Sequence, residues 1–329
     1  MRAVAVLAII IAHTSFFQRG TFGFDIFFVI SGFCMMYVTQ NSAKKLLIKR
    51  FIRIIPMYWL ATVIRLILSP APVYNQSFDL NLFFESLFFI PRNPQPLFNA
   101  GWSLNHLIAF YIIFKLACLI NLKDRGKIAA AFLITWICSM QIFNLKYYYM
   151  PLPIEFILGI IAFEIIKYAY VRENKNTKYG NIIKNIVCVI LCAGSLWYMT
   201  SYSAMKIIYL SGDWELMRPA VLGIPAMILV CGFCIFMKDK KIPKILIFLG
   251  NMSFSCYLWH IFVVAIAKLL LLKLNLIAED RDFYLMNLPN FILMVAVVAI
   301  TVALSWVSHK FIEVKFANWL RRVVVREKN

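Results

Sequence analysis

Residues 2–40 read RAVAVLAIIIAHTSFFQRGTFGFDIFFVISGFCMMYVTQ, two apolar runs joined by a short polar turn. The runs cover about residues 3–17 and 23–40, and a helix needs roughly 20 apolar residues to cross the bilayer core. The first run has no small-residue cleavage site behind it, so it predicts a retained helix rather than a signal peptide. The stretch therefore predicts a hairpin of two membrane helices that carries His13 and Asp25 at membrane depth.

The rest of the chain repeats this pattern of long apolar runs. Of its 329 residues, 62% are hydrophobic and 15% are charged, whereas a soluble domain is about a quarter charged. This balance excludes an ordinary soluble enzyme, a disordered chain and a small disulfide-bonded domain. Eight further spans are predicted at about residues 51–69, 104–121, 128–144, 152–170, 183–200, 218–237, 253–274 and 288–309.

The predicted fold class is all-α: a polytopic integral membrane protein with about ten transmembrane helices. Residues 1–315 form the predicted membrane-embedded domain, residues 316–329 form a short basic cytoplasmic tail, and no appended soluble domain is expected.

Lysine and arginine are unevenly distributed between the loops. The chain has 34 of these residues against 15 acidic ones, a net charge of +19. With the predicted spans in place, 24 basic residues fall on one side of the membrane and 6 on the other. Because basic loops remain in the cytoplasm, both termini are predicted to be cytoplasmic. Long apolar runs separate the basic residues, which argues against a nucleic-acid-binding surface.

The eight cysteines all lie within apolar runs. Cys231 and Cys234 form a CxxC, but no second pair accompanies it, so we interpret the cysteines as small packing residues rather than redox or metal ligands. No metal site is predicted. Phosphate-binding loops, dinucleotide fingerprints and zinc-protease motifs are also absent from the sequence.

Ionisable side chains within a membrane span are costly, which makes His13 and Asp25 functional candidates. A helical hairpin places the two at similar depth, and a carboxylate beside an imidazole can orient it as a general base. The structural alternative is that Asp25 caps the second helix while His13 hydrogen-bonds to a neighbour.

Two arginines, Arg50 and Arg53, lie one helical turn apart at the cytoplasmic start of the third span. Two guanidiniums on one face suit phosphate groups, although such residues can equally serve only to fix topology. His260 lies seven residues into the ninth span, where either a functional or a packing role is open.

The sequence resembles the acyltransferase 3 family of bacterial membrane acyltransferases. The first helix has its Arg-x10-His pattern, and residues 20–33 (GTFGFDIFFVISGF) are similar to its second-helix segment. One position departs from the family, because Leu107 stands where relatives have a glutamate. The other matching segments are RFIRIIPMYW at residues 50–59, GWSL at 101–104, EFILGIIAFE at 155–164, SFSCYLWH at 253–260 and SWVSHKFIE at 305–313.

The resemblance implies transfer of an acyl group, most often acetyl, from acyl-coenzyme A to a hydroxyl of an envelope carbohydrate such as O-antigen, capsule, exopolysaccharide or a lipid-linked precursor. It implies catalytic roles for His13 and Asp25: His13, oriented by Asp25, either deprotonates the acceptor hydroxyl or carries the acyl group itself. It also implies a donor site formed by Arg2, Arg50 and Arg53. The expected tunnel residues are Ser31, Tyr58, Trp59, Trp102, Tyr257, Trp259 and His260.

Acetyl-CoA or another acyl-CoA is expected as a donor substrate that approaches from the cytoplasm, and no permanently bound cofactor is expected. The expected partners are a carbohydrate acceptor and the lipid bilayer, with no nucleic acid. The expected location is the bacterial cytoplasmic (inner) membrane. The alternative function is a transporter or flippase of lipid-linked sugars, which ten spans with interior ionisable groups would also suit. A purely structural membrane protein is a third possibility, disfavoured by ionisable groups at membrane depth.

Overall fold

The structure is a computed structural model that describes residues 1–14, 18–68, 80–90, 96–142, 152–172, 178–201, 217–276 and 288–325. Within these ranges every regular element is helical and no strand occurs. The all-α prediction is therefore confirmed for the described part of the chain.

Twelve α-helices of eight residues or more follow one another in these ranges. A π-helical segment, Pro219–Gly223, leads directly into α9, and the chain continues helically beyond α12 through Val325. The helices are α1 Arg2–Ala12, α2 Phe22–Val38, α3 Leu46–Leu68, α4 Leu80–Leu87, α5 Gly101–Ile120, α6 Arg125–Ile142, α7 Pro153–Arg172, α8 Lys178–Thr200, α9 Ile224–Met237, α10 Lys244–Asn251, α11 Ser253–Lys273 and α12 Leu288–Ser308.

Each of the ten predicted spans coincides with a helix, while α4 and α10 are short additions. Helices α1 and α2 have 11 and 17 residues, fewer than the roughly 20 that a crossing helix needs. Ten spans and the orientation of the termini thus remain predictions. Six described segments are long and apolar enough to cross a membrane: Leu46–Leu68, Gly101–Ile120, Gly180–Thr200, Pro219–Met237, Ser253–Lys273 and Leu288–Val323.

Helices α1, α2 and α7 approach one another at glycines. A Cβ atom on Gly23 would overlap the carbonyl oxygen of Ala5, and one on Gly159 would overlap that of Val29. Gly32 lies opposite Gly159 in the same contact. Small residues allow helix backbones to pack this closely within a membrane, where dispersion contacts hold helices together. The three helices therefore form one tightly packed unit, which we call the glycine-packed core.

The C-terminal helix spans the boundary predicted at residue 315. The segments His309–Phe316, Ala317–Leu320 and Arg321–Val325 are all helical, so the first part of the predicted tail continues the helix. Residues 326–329 lie outside the described ranges. The same helix carries Glu313, which is buried and accepts a hydrogen bond from the Ser255 hydroxyl of α11.

Candidate active site

A cavity of about 730 Å³, part of it open to solvent, lies between α1, α2, α3, α5 and α11. Its wall contains all three arginines of the predicted donor site, together with two of the predicted tunnel residues, Ser31 and Tyr257. The residues that line it are Arg2, Phe24, Phe27, Phe28, Ser31, Arg50, Arg53, Ile54, Ser103, Leu104, Leu107, Tyr111, Ser253, Phe254 and Tyr257.

The three arginines come from the N-terminal parts of α1 and α3, and the charges of Arg2 and Arg50 both act on Arg53. No carboxylate of the described residues lies within ion-pairing distance of the three, although the charge of Glu313 also acts on Arg53. Arg2 donates to the Cys34 sulfur at 3.5 Å, and Arg53 donates to a main-chain carbonyl oxygen at 3.5 Å. The Arg50 guanidinium lies 5.4 Å from the centre of the Tyr111 ring. Guanidiniums left without carboxylate partners can bind phosphate groups in a bidentate manner.

Hydroxyl groups form a connected set in the cavity wall. The hydroxyls of Ser103 and Tyr257 lie 2.7 Å apart. Both also lie within hydrogen-bonding distance of the Ala100 carbonyl oxygen, at 3.2 and 3.1 Å. The two hydroxyl protons are enough to link the three oxygens, because one hydroxyl donates to the carbonyl and the other donates to its partner hydroxyl. These two protons are therefore already used in the resting structure.

His13 directly follows α1 and lies outside the residues that line the cavity. Its Nδ1 atom is 2.8 Å from the Ile9 carbonyl oxygen. Because a carbonyl only accepts, Nδ1 carries the proton in the neutral ring, and Nε2 holds the free lone pair. The His13 ring also contacts the His260 ring edge-on, with centroids 4.9 Å apart. Eleven residues separate His13 from Arg2, a distance of roughly 16 Å along a helix.

The structure does not bring Asp25 and His13 together: the described partner of Asp25 is Arg218, and that of His13 Nδ1 is the Ile9 carbonyl. Both Asp25 oxygens accept hydrogen bonds from Arg218, at 2.9 and 2.7 Å. Arg218 also donates to the Thr21 carbonyl oxygen at 3.1 Å. Asp25 lies in the first turn of α2 and faces α7 and the start of the α9 segment. Equal depth of two residues in a helical hairpin does not fix the direction in which each side chain points around its helix.

A second carboxylate, that of Glu155 at the start of α7, lies beside Asp25 and Arg218. Asp25 and Glu155 are both fully buried. The Arg218–Asp25–Glu155 cluster was absent from the sequence-based site. The sequence contained one indication of this cluster. Arg218 is a basic residue at the edge of one predicted span, and Asp25 is an acidic residue within another.

The other predicted tunnel residues are dispersed. Trp102 packs against the lining residue Phe24, with ring centroids 5.2 Å apart. Tyr58 is fully buried against Phe89, with centroids 4.7 Å apart. His260 is fully buried, and its ring centroid lies 5.7 Å from that of Tyr257. These three residues thus lie behind or beside the cavity wall and do not line it.

Trp59 and Trp259, also predicted as tunnel residues, are not among the residues that line this cavity. Trp59 is 41% exposed and donates its indole N–H to the Leu87 carbonyl oxygen at 2.8 Å. Trp259 donates to the Ser308 hydroxyl at 2.8 Å and so faces α12. Each residue neighbours a buried predicted residue in the sequence, Tyr58 or His260, but a helix turns its successive side chains by about 100°.

The site thus consists of three guanidiniums at one cavity of a helical protein, with the imidazoles of His13 and His260 near by. The family model described as an acyltransferase domain matches residues 1–310. The chain therefore belongs to the acyltransferase 3 family, as its motifs predicted, and its apolar helices make it a multi-pass membrane protein.

One curated relative is the exopolysaccharide production protein ExoZ of Rhizobium meliloti (strain 1021). It is 25% identical over 276 residues, which cover 76% of this chain and 78% of the relative. No solved structure matches the chain.

Proposed function

We propose that this protein transfers an acyl group, in the first instance acetyl from acetyl-CoA, to a hydroxyl of an envelope carbohydrate. The observation that carries the proposal is the convergence of Arg2, Arg50 and Arg53 on one cavity, where none of them forms an ion pair with a carboxylate of the described residues. Buried or half-buried cations left unpaired are costly unless an anionic ligand joins them. Coenzyme A supplies such an anion through its phosphate groups.

The spacing along α1 supports a linear arrangement of the donor. With its phosphates at Arg2, coenzyme A would direct its flexible pantetheine arm toward His13, roughly 16 Å away along the helix. The apolar lining of the cavity, which includes Phe24, Phe28 and Leu104, suits an uncharged arm and a thioester. We therefore place the nucleotide at the arginines and the reacting carbon near the two imidazoles.

His13 is proposed as the general base. Its Nε2 lone pair takes the proton of the acceptor hydroxyl as the hydroxyl oxygen bonds to the acyl carbon. The carbon–sulfur bond then breaks, and the imidazolium returns the proton to the departing thiolate. The ester and free coenzyme A are the products, and His13 ends neutral as it began.

The acceptor proposed here is an exopolysaccharide or its lipid-linked precursor, following the name of the ExoZ relative. We further propose ten spans, both termini in the cytoplasm and residence in the bacterial inner membrane. The 24 basic residues on the predicted cytoplasmic side would raise the local concentration of an anionic donor there.

The test is acyl transfer by the purified protein in lipid nanodiscs, with acetyl-CoA labelled in the acetyl group. The wild type should place label on the glycan fraction, and His13→Ala should lower the rate by about 10²–10⁴-fold, the contribution of a general base. Arg50→Ala and Arg53→Ala should weaken acetyl-CoA binding more than acceptor binding. An active His13→Ala protein would refute its role. Movement of unlabelled glycan across the membrane, without any acyl transfer, would favour a transporter instead.

A further inference from the structure

His260 has unused hydrogen-bonding capacity in a fully buried position. Its side chain is 0% exposed, and neither ring nitrogen makes a hydrogen bond to a described residue. The carbonyls of Cys256 and Tyr257 lie near the ring, but they do not reach hydrogen-bond geometry. Any neutral imidazole has one N–H donor and one acceptor. Buried polar groups are nearly always satisfied, so these two nitrogens call for a partner that the described residues do not supply, such as a water or a group of the substrate.

The polar groups beside His260 already donate their protons to other acceptors. The adjacent imidazole, that of His13, donates its Nδ1–H to the Ile9 carbonyl oxygen. The hydroxyl protons of Ser103 and Tyr257 are shared between those two residues and the Ala100 carbonyl. Among these groups His260 is the donor that remains available. It contacts both His13 and the lining residue Tyr257, and so it adjoins both the proposed base and the cavity wall.

We propose that His260 is a second catalytic residue, which donates its ring N–H to the carbonyl oxygen of the acyl donor. This inference rests on the proposed acyltransferase function. Attack by the acceptor hydroxyl turns that carbonyl into a tetrahedral oxyanion, and the charge resides on the oxygen that His260 contacts. A fixed donor in a fully buried position stabilises such a charge strongly, because it needs no reorganisation when the charge develops.

The two imidazoles then have different tasks. His13 removes the proton from the acceptor oxygen and returns it to the thiolate sulfur, while His260 keeps its proton throughout. When the carbon–sulfur bond breaks, the oxyanion collapses to the ester carbonyl, and the hydrogen bond from His260 weakens again. The step needs only acyl-CoA and an alcohol, and all protons and electrons are accounted for.

The test compares His260→Gln with His260→Leu in nanodiscs, using the labelled transfer reaction. Glutamine retains an N–H donor but is no base, whereas leucine has a similar volume and no donor. We expect kcat to fall by about 10²–10³-fold for leucine, the usual cost of removing one such donor, and much less for glutamine. KM for acetyl-CoA should change little, because the arginines are untouched.

His106→Leu is the matched control. That residue is also a buried helical histidine, but its Nδ1 lies 2.9 Å from the Trp102 carbonyl oxygen, so its ring is satisfied within its own helix. It should transfer acetyl close to the wild-type rate. Acetyl-CoA binding and thermal unfolding of every variant establish that each is folded.

Three results would contradict either the donor role of His260 or the function on which that role rests. A folded His260→Leu protein with near-wild-type kcat would show that His260 is only a packing residue. Equal loss in the glutamine and leucine variants would make it a base or an acyl carrier and overturn the donor role. Absence of transfer by the wild type, from any acyl-CoA tested, would instead count against the proposed function itself.

Discussion

The Arg218→Ala substitution should strongly destabilise the protein, because it leaves a fully buried carboxylate without its partner. Asp25 is 0% exposed and Arg218 14% exposed, and their closest contact is 2.7 Å. Removing one member of such a buried pair costs about 3–5 kcal/mol. Loss of the bond to Thr21 adds about 1 kcal/mol. A total of about 4–6 kcal/mol is comparable to the whole stability of many domains, about 5–15 kcal/mol.

Unfolding in detergent micelles by added denaturant, followed by tryptophan fluorescence, measures this change. Lys127→Ala is the control, because it breaks a 3.4 Å pair with Asp124 in which the lysine is 88% exposed. Such surface pairs contribute about 0–1 kcal/mol.

The double variant Asp25→Asn with Arg218→Ala should recover part of the loss, since it removes the uncompensated charge. If Arg218→Ala unfolds at the same denaturant concentration as Lys127→Ala, our account of the pair is wrong.

Three other substitutions test the packing and the site. Gly159→Ala should cost about 1–3 kcal/mol by overpacking, since its Cβ would overlap the α2 backbone; unchanged unfolding would show that the helices can separate. Trp59→Phe should leave the KM for acetyl-CoA unchanged, because the indole faces α4 and not the cavity, and a raised KM would return it to the site. Arg125→Ala should lower stability by about 1.5–3 kcal/mol, because its guanidinium donates at 2.7 Å to the buried Thr39 hydroxyl; stability equal to wild type in the same micelles would contradict this.

The sequence was sufficient for features that depend on composition along the chain. Apolar runs predicted the helices, because each run has to satisfy its backbone within itself. The convergence of Arg2 with Arg50 and Arg53 was also predictable, since a shared depth and a shared chemistry both pointed to one site. The extent of a helix and the depth of an arginine both depend on distance along a helix axis.

Properties that depend on rotation about a helix axis could not be derived in this way. Asp25 and His13 share a depth but point in different directions, and only packing against α7 and α9 decides which partner Asp25 has. Trp59 shows the same effect, since one position separates it from the buried Tyr58. The contact between His13 and His260 joins residues 247 positions apart, and no local pattern encodes it.

Under the proposed acyl transfer, the glycine-packed core has a consequence for the size of acyl group that the cavity would accept. Backbones in direct contact leave no side chain whose shortening could separate α1, α2 and α7, so the spacing of these helices is fixed. Helix α2 therefore presents Phe24, Phe28 and Ser31 to the cavity from a fixed position. The opposite side is built from side-chain volume, including Ile54, Leu104 and Leu107. Selectivity between short and longer acyl chains is therefore adjustable there by single methylene steps, without disturbing the helix that carries His13.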